Sequence, residues 1–530
     1  MEKEKISETS KREIILTAAC IFVAVLFLVS FVIINFGGFP RFCNSDMYED
    51  LYVSRLMWEQ KTIFPKGWIF GNQYYAVATP VWAALIYGIC GSMNTATLLA
   101  TTLMSVFIIC SAVWMLRAFT GERLHICLAL AVLLGVMPGP QIVHSEPGQI
   151  FYLCASYYAC YLITCFVVTG TYLRELQEKK WRPVPYILGL VLCFGTGMQS
   201  LRQTTVMVLP LLFVEAVRNV SVYMKTKKLD QENVRIALRT LGYAFTNGCG
   251  YITLKLINPA HHSIFGNMTP RTSAGDILDG IKMGLRYLSR VNGLSYLFYQ
   301  EFRVDYLLLG IYCMPFLLGV IAFAAGSIRK GFREAAGKCG AVLVMGLAAT
   351  YAVGCVFKVT LRPIYFFLWY PLVMVSVVWA LGKLKGRLRT VYVAAVLALL
   401  LGNYAISYVS SVQEALSGEM LEEEQVCRYM QENGYEYLYG PWVVAPEIAV
   451  YSDGEIIAGG WYEEVFVVLD YLNPHGIYAP EDNEKALIVL KRADMDEALQ
   501  AAAERGAALT QVYETEKYVL YKASEQLMIE

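Results

Sequence analysis

Residues 44–60, NSDMYEDLYVSRLMWEQ, hold three carboxylates within five positions, Asp46, Glu49 and Asp50. Acids this close together either charge a helix start or take protons from a reacting hydroxyl. Asp46-x-x-Glu49 has the spacing of a capping box, and one residue can serve as both cap and base. Tyr48, Leu51, Tyr52 and Leu56 recur at helical spacing, which predicts an amphipathic helix lying on a membrane surface. A further acid, Glu146 in HSEPGQ, stands just before Pro147 at a predicted helix start, where the helix dipole also favours a carboxylate. His144 beside it reads as a hydrogen-bond donor or as an ordinary polar loop residue. Three cations complete the set: Arg202 in the turn GMQSLRQ, and Lys358 and Arg362, which bracket the turn before PIYFFLWYP. Arg and Lys at a membrane surface hold phosphate, either of a specific ligand or of ordinary lipid headgroups.

The elements that must position these residues are membrane helices. The chain of 530 residues is 56% hydrophobic, its mean hydropathy is +0.45, and its apolar runs approach the roughly 20 residues a helix needs to cross a bilayer. Spans are predicted at 14–34, 96–117, 124–139, 150–170, 184–200, 203–219, 236–257, 305–325, 339–357, 363–381 and 391–411, about eleven in all. Basic connectors such as RAFTGERLH, YLRELQEKKWRP and GKLKGRLR fall on one face only if the apolar stretch 75–91, broken by Pro80, stays at the interface without crossing. The N-terminus is then cytoplasmic. Residues 35–95, the Glu146 loop, the Arg202 turn, the loop 258–304 and everything after the last span lie outside the plasma membrane. No small-residue cleavage site follows the first apolar run, so it is read as a retained anchor. The loop 258–304 carries His261, His262, Arg271, Lys282, Arg286 and Arg290, and DILDGIKMGLRYL within it predicts an amphipathic helix with a solvated charged face.

The chain therefore divides into a transmembrane domain, 1–412, with a first external loop at 35–95, and a soluble domain, 413–530. From Gln413 onward there are 7 Lys and Arg against 24 Asp and Glu, which leaves 37 against 20 for the rest. The tail alternates helix-like EEEQVCRYMQENG and MDEALQAAAERG with strand-like YEYLYG, ALIVLKR and YVLYK, the pattern of a small α/β domain. The fourteen cysteines lie mostly in apolar runs without regular spacing, so neither a disulfide framework nor a metal-ligand set is read. No glycine-rich nucleotide motif is present, and nothing points to nucleic acid.

An anchor helix, an acid in the first external loop, a Pro-containing helix that does not cross, many further spans and an external α/β tail resemble the GT-C class of integral-membrane glycosyltransferases. The layout is similar to the protein O-mannosyltransferases and the lipid A aminoarabinose transferases. ATPVWAALIYGICG echoes their Pro-rich external helix through Pro80, Trp82, Tyr87 and Gly91, and LRPIYFFLWYP echoes their late Arg-Tyr-Pro element through Arg362, Tyr365 and Pro371. The resemblance implies catalytic roles for Asp46 and Glu146, with Glu49, Asp50, His144 and Tyr365 as accessories. It implies a polyprenyl-phosphate sugar donor whose phosphate meets Arg202, Lys358 and Arg362, and single-displacement transfer with inversion to a glycan, lipid or protein acceptor. The chain lacks the adjacent Asp-Glu pair of the protein mannosyltransferases and the Asp-x-Asp of oligosaccharyltransferases, so acceptor and divalent-metal use stay open. In the tail, Tyr439 and Trp442 read as sugar contacts or as core aromatics. Two other readings stay on the table: a lipid or solute transporter or flippase, and a non-catalytic scaffold of envelope assembly.

Overall fold

The computed structural model describes the chain apart from residues 1, 72, 229, 263–268, 299–301, 360 and 530, and apart from the side chains of 2–10 and 147; part of the loop 258–304 thus lies outside the described residues. The chain packs as two compact units. One comprises Met1–Ile33, Leu103–Leu256 and Met268–Gln413, the other Ile34–Thr102, Ile257–Asn267 and Glu414–Glu530. In chain order the helices are α1 (Glu2–Phe42), α2 (Ser45–Glu59), α3 (Thr79–Cys90), α4 (Met93–Leu116), α5 (Arg123–Gly135), α6 (Glu146–Phe151), α7 (Ala159–Glu178), α8 (Pro183–Gln199), α9 (Leu209–Thr226), α10 (Gln231–Ile257), α11 (Ala274–Val291), α12 (Val304–Arg329), α13 (Ala335–Val356), α14 (Trp369–Leu381) and α15 (Gly386–Ser407).

Among the described residues, seven helical segments are long and apolar enough to cross a membrane, and α5 and α8 are shorter apolar helices. The protein is a multi-pass membrane protein. Helix α3 has 12 residues, about 18 Å at helical rise, and falls short of a bilayer core of about 30 Å. Several spans differ from their sequence outlines: 124–139 is a helix only to Gly135, 363–381 becomes α-helical only at Trp369, and two others are interrupted. The run 150–170 is broken: α6 ends at Phe151, Cys154 (φ 58°) and Ser156 (φ 52°) are left-handed, and α7 begins only at Ala159. A left-handed L-residue costs roughly 1–2 kcal/mol, so surrounding packing must hold this break. The run 203–219 opens as a π-helical turn, Thr204–Val208, before α9. Pro210 has no N–H to return to the Val206 carbonyl, which loosens the ladder there. That carbonyl oxygen lies where a Cβ on Gly346 would come within 2.2 Å, so α13 seats against the turn only through a glycine.

The second unit is built on a five-stranded sheet of order β2-β1-β3-β5-β4, with β1 (Tyr437–Pro441), β2 (Ile457–Trp461), β3 (Ala486–Lys491), β4 (Leu509–Glu514) and β5 (Tyr518–Ala523). β1 is parallel to β2 and β3, while β5 is antiparallel to β3 and β4. Helices α16 (Val409–Ala415), α17 (Glu422–Glu432), α18 (Ala445–Ala449) and α19 (Met495–Glu504) complete the chain. The outlined strands and both tail helices are present. β2, IAGGW, went unread because its paired glycines lack strand propensity. Helix α2 packs against α3 and buries ten of its 15 residues within this unit, among them Tyr48, Leu51 and Tyr52. The Ala458 N–H of β2 donates to the Tyr48 hydroxyl at 2.9 Å. The apolar stripe of α2 is therefore seated on protein.

Candidate functional site

The three acids of the first loop stand together in the second unit. Helix α2 starts two residues earlier than the capping-box spacing implies: Asn44 is the N-cap, and its side chain accepts from Met47 N at 3.0 Å. Asp46 is therefore a half-buried first-turn carboxylate that does not serve as the N-cap. Glu49 and Asp50, 4% and 3% exposed, are held inside. Glu49 Oε1 accepts from Trp442 Nε1 at 2.7 Å, and the Tyr75 hydroxyl donates to Asp50, whose Oδ1 is buried without a partner. Tyr439, in contrast, is a core residue, 1% exposed, and its hydroxyl donates to the Ile477 carbonyl at 2.6 Å.

Burial pushes the pKa of Glu49 well above its ordinary 4.5, helped by the charge of Asp46, opposed by the Trp442 hydrogen bond and helped again by Asp50. Asp50 rises well above 3.8 through burial, against the Tyr75 hydrogen bond and with Asp46 adding to the rise. The unfolded chain releases these protons first, so stability falls as pH climbs from the ordinary carboxylate range through the folded-state values. We expect the unfolding midpoint to drop from pH 5 to pH 8, and Glu49→Gln with Asp50→Asn to flatten that slope. A slope unchanged in the double variant would remove both residues from the explanation.

A second group stands in the first unit around a cavity of 1310 Å³ whose walls include Glu146, His144, Arg286, Arg290, Arg303 and Asp305, with Phe367 and Tyr370 among its apolar lining. Ser145 caps α6 and accepts from Gly148 N at 3.4 Å, which puts Glu146 in the first turn. Glu146 opens onto the cavity, yet the surrounding protein desolvates it enough to raise its pKa, while Arg362, the Ile364 backbone and Arg290 pull it back. Arg286 and Arg290 lie four residues apart on α11, on one helical face. The opposite face is pressed onto α13: a Cβ on Gly280 would come within 2.7 Å of the Gly354 carbonyl oxygen, and one on Gly284 within 2.6 Å of the Tyr351 ring. Those glycines carry the arginine face to the cavity wall. Arg303 pairs with Asp305 at 2.6 Å.

Arg202 is caged by aromatic faces, with its guanidinium carbon 4.3 Å from the Tyr158 ring centre, 4.6 Å from Tyr365 and 5.5 Å from Tyr161. The break before α7 puts Tyr158 there, and the 3-10 turn Pro363–Phe366 sets Tyr365 three residues after Arg362. Arg362 also acts on Tyr158, so Arg202, Arg362 and Tyr365 share one cluster with it. Lys358 is engaged elsewhere, 3.3 Å from Asp276. Arg271 is structural as well, donating to the carbonyls of Gly354 and Phe357 at 3.1 Å. Lys282 pairs with Asp279, and His262 with Asp470 in the second unit. Lys358→Ala removes an exposed pair that solvent screens; donor affinity within two-fold of wild type, read by titration, is the expected result. Among the described residues no three His, Cys, Asp or Glu side chains group closely enough to hold a metal ion.

Arg286 and Arg290 were legible as charges but not as cavity residues, and Arg303 and Tyr158 gave no local signal. No family model and no curated protein matches the chain. Among solved structures, ArnT from Cupriavidus metallidurans, crystallised with undecaprenyl phosphate, aligns over 96% of this chain and 99% of its own with a TM-score of 0.56. The chain has the ArnT fold. At 12% identity the likeness to ArnT is one of architecture alone, a bundle of membrane helices with a small sheet domain. Because the ArnT likeness takes in nearly the whole of both chains, the sheet unit belongs to that architecture.

Proposed function

We propose that this protein is an inverting glycosyltransferase that moves a sugar from a polyprenyl-phosphate donor to an acceptor outside the plasma membrane, with its N-terminus cytoplasmic and its sheet unit external. The observation that carries the reading is the cavity of the first unit, whose walls bear Arg286, Arg290 and Arg303 on a fold it shares with a protein crystallised with undecaprenyl phosphate. Guanidinium groups suit a phosphate because their paired N–H donors match its oxygens.

In the proposed reaction the donor phosphate is held by Arg286 and Arg290, with Arg362 and the tyrosine-backed Arg202 adding positive charge. An acceptor hydroxyl gives its proton to Asp46 and bonds to the anomeric carbon. The bond from that carbon to the phosphate oxygen breaks, and the polyprenyl phosphate departs with the electron pair. Fixed cations do most where the leaving phosphate gains charge. Glu146 restrains Arg362 and Arg290, since its carboxylate lies in the field of both. Glu49 and Asp50, whose pKa values burial raises, shape the surroundings of Asp46.

The test uses purified protein with a labelled polyprenyl-phosphate hexose. Release of unglycosylated lipid phosphate coupled to appearance of a glycosylated product is expected. Exchange of solute across liposomes without bond cleavage would identify a carrier, and neither activity would leave the scaffold reading.

A further inference from the structure

Two adjacent parallel strands end together in the second unit. Pro441 of β1 pairs with Trp461 of β2, so the next residues in register are Trp442 and Tyr462. Trp442 N bonds to the Trp461 carbonyl at 2.7 Å, one further rung of the parallel ladder. A Cβ on Gly460 would come within 3.0 Å of the Trp442 Cα, so a glycine is what admits this approach. The two rings meet at 85°, centres 6.0 Å apart, and Tyr462 is 64% exposed. The carboxyl ends of parallel strands are where open α/β sheets present ligand-binding crevices, because chains diverge from there.

The acids of α2 come to the same strand ends. Glu49 is tied to the Trp442 indole, and Tyr471 stands close enough to Glu49, Tyr462 and Asp46 for their charges to act on it. Asp50, next to them, keeps a buried oxygen with no partner, an atom that an ordered water would satisfy. Beyond them Glu463 and Glu464 are exposed acids, and Asp470, also exposed, pairs with His262, whose ring lies 4.5 Å from that of Tyr471. Aromatic faces beside carboxylates match a pyranose ring, whose C–H face stacks while its hydroxyls donate. The acidic rim repels phosphate, sulfate and carboxylate groups.

We propose that Trp442, Tyr462 and Tyr471, with Asp46 and Glu49, form a subsite for a neutral or amino sugar of a glycan, and that this glycan is the acceptor. Only the word acceptor rests on the transferase reading; the carbohydrate specificity stands on the strand ends themselves. It narrows the acceptor from glycan, lipid or protein to uncharged or basic carbohydrate.

The experiment applies the labelled full chain, in detergent, to an array of neutral, amino and acidic glycans with no lipid-linked sugar present, so its outcome is independent of any failure to turn over donor. Retention on neutral or amino glycans and not on acidic ones is expected. Tyr462→Ala should lower that retention about five- to ten-fold, the scale of one aromatic contact. Since Tyr462 is largely exposed, its loss leaves folding intact, which an unchanged unfolding midpoint verifies. Tyr471→Phe, which keeps the ring and removes the hydroxyl, should weaken binding less. Retention of no glycan, preference for acidic glycans, capture of an oligolysine probe in place of sugars, or equal retention by Tyr462→Ala would each overturn the assignment.

Discussion

Asp46→Asn is expected to lower transfer of sugar from a polyprenyl-phosphate donor by about 10²- to 10⁴-fold, the range that a positioned general base contributes. Asparagine keeps the size of the side chain but cannot take a proton. The structure makes this a clean test of chemistry because the cap of α2 is Asn44, so the substitution does not remove the hydrogen bond that starts the helix. What it removes from stability is a first-turn charge, worth about 0.3–1 kcal/mol against the helix dipole. Asp46 also contributes to the raised pKa values of Glu49 and Asp50, so its neutralisation makes their ionised forms less costly. The loss should therefore appear in kcat, with donor KM and the unfolding midpoint nearly unmoved. A variant that transfers sugar at the wild-type rate would sink the role of Asp46 as base while leaving the phosphate cavity untouched.

The second large effect belongs to α11. Replacing Arg286 and Arg290 together by Gln is expected to weaken donor binding by about 10²- to 10⁴-fold, since hydrogen bonds to charged groups are worth roughly 1.5–3 kcal/mol each. Both side chains are exposed on the cavity wall, and the helix is anchored on its other face at Gly280 and Gly284. The variant should therefore fold normally. Lys at both positions keeps the charge but not the planar fork, and should recover only part of the loss. Binding of a short-chain polyprenyl phosphate, followed by titration at two salt concentrations, separates the cases: the wild type should weaken as salt rises and the double Gln variant should respond less. Wild-type affinity in the Gln variant would remove the cavity from the donor site.

Much of the architecture was legible because its causes are local. A bilayer demands apolar runs of a set length, so most spans could be outlined from composition, and the reading of 75–91 as non-crossing rested on its shortness, Pro80 and the placing of the basic connectors. The alternation of short strands and helices after Gln413 likewise read as an α/β unit. Local signals lost definition at boundaries. The start of α2 lay two residues from where the Asp46-x-x-Glu49 spacing put it, because Asn and Asp are near-equal caps and nearby positions compete. The break at Cys154 and Ser156 was invisible, since neither residue is a glycine or proline and tertiary packing alone holds their backbone.

The residue types and the membrane period, then, were determined by the sequence itself: three acids at 46, 49 and 50, an acid before Pro147, and cations at the ends of the spans. Which of them act together was decided by tertiary structure. Glu49 meets a tryptophan 393 residues away only because two parallel strands end in register, Arg286 and Arg290 reach a cavity only because two glycines let α11 close on α13, and Lys358 is drawn off to Asp276. Hydrophobic period and propensity act over a few residues. Partnership between charges depends on strand register and helix approach, which are properties of the folded chain.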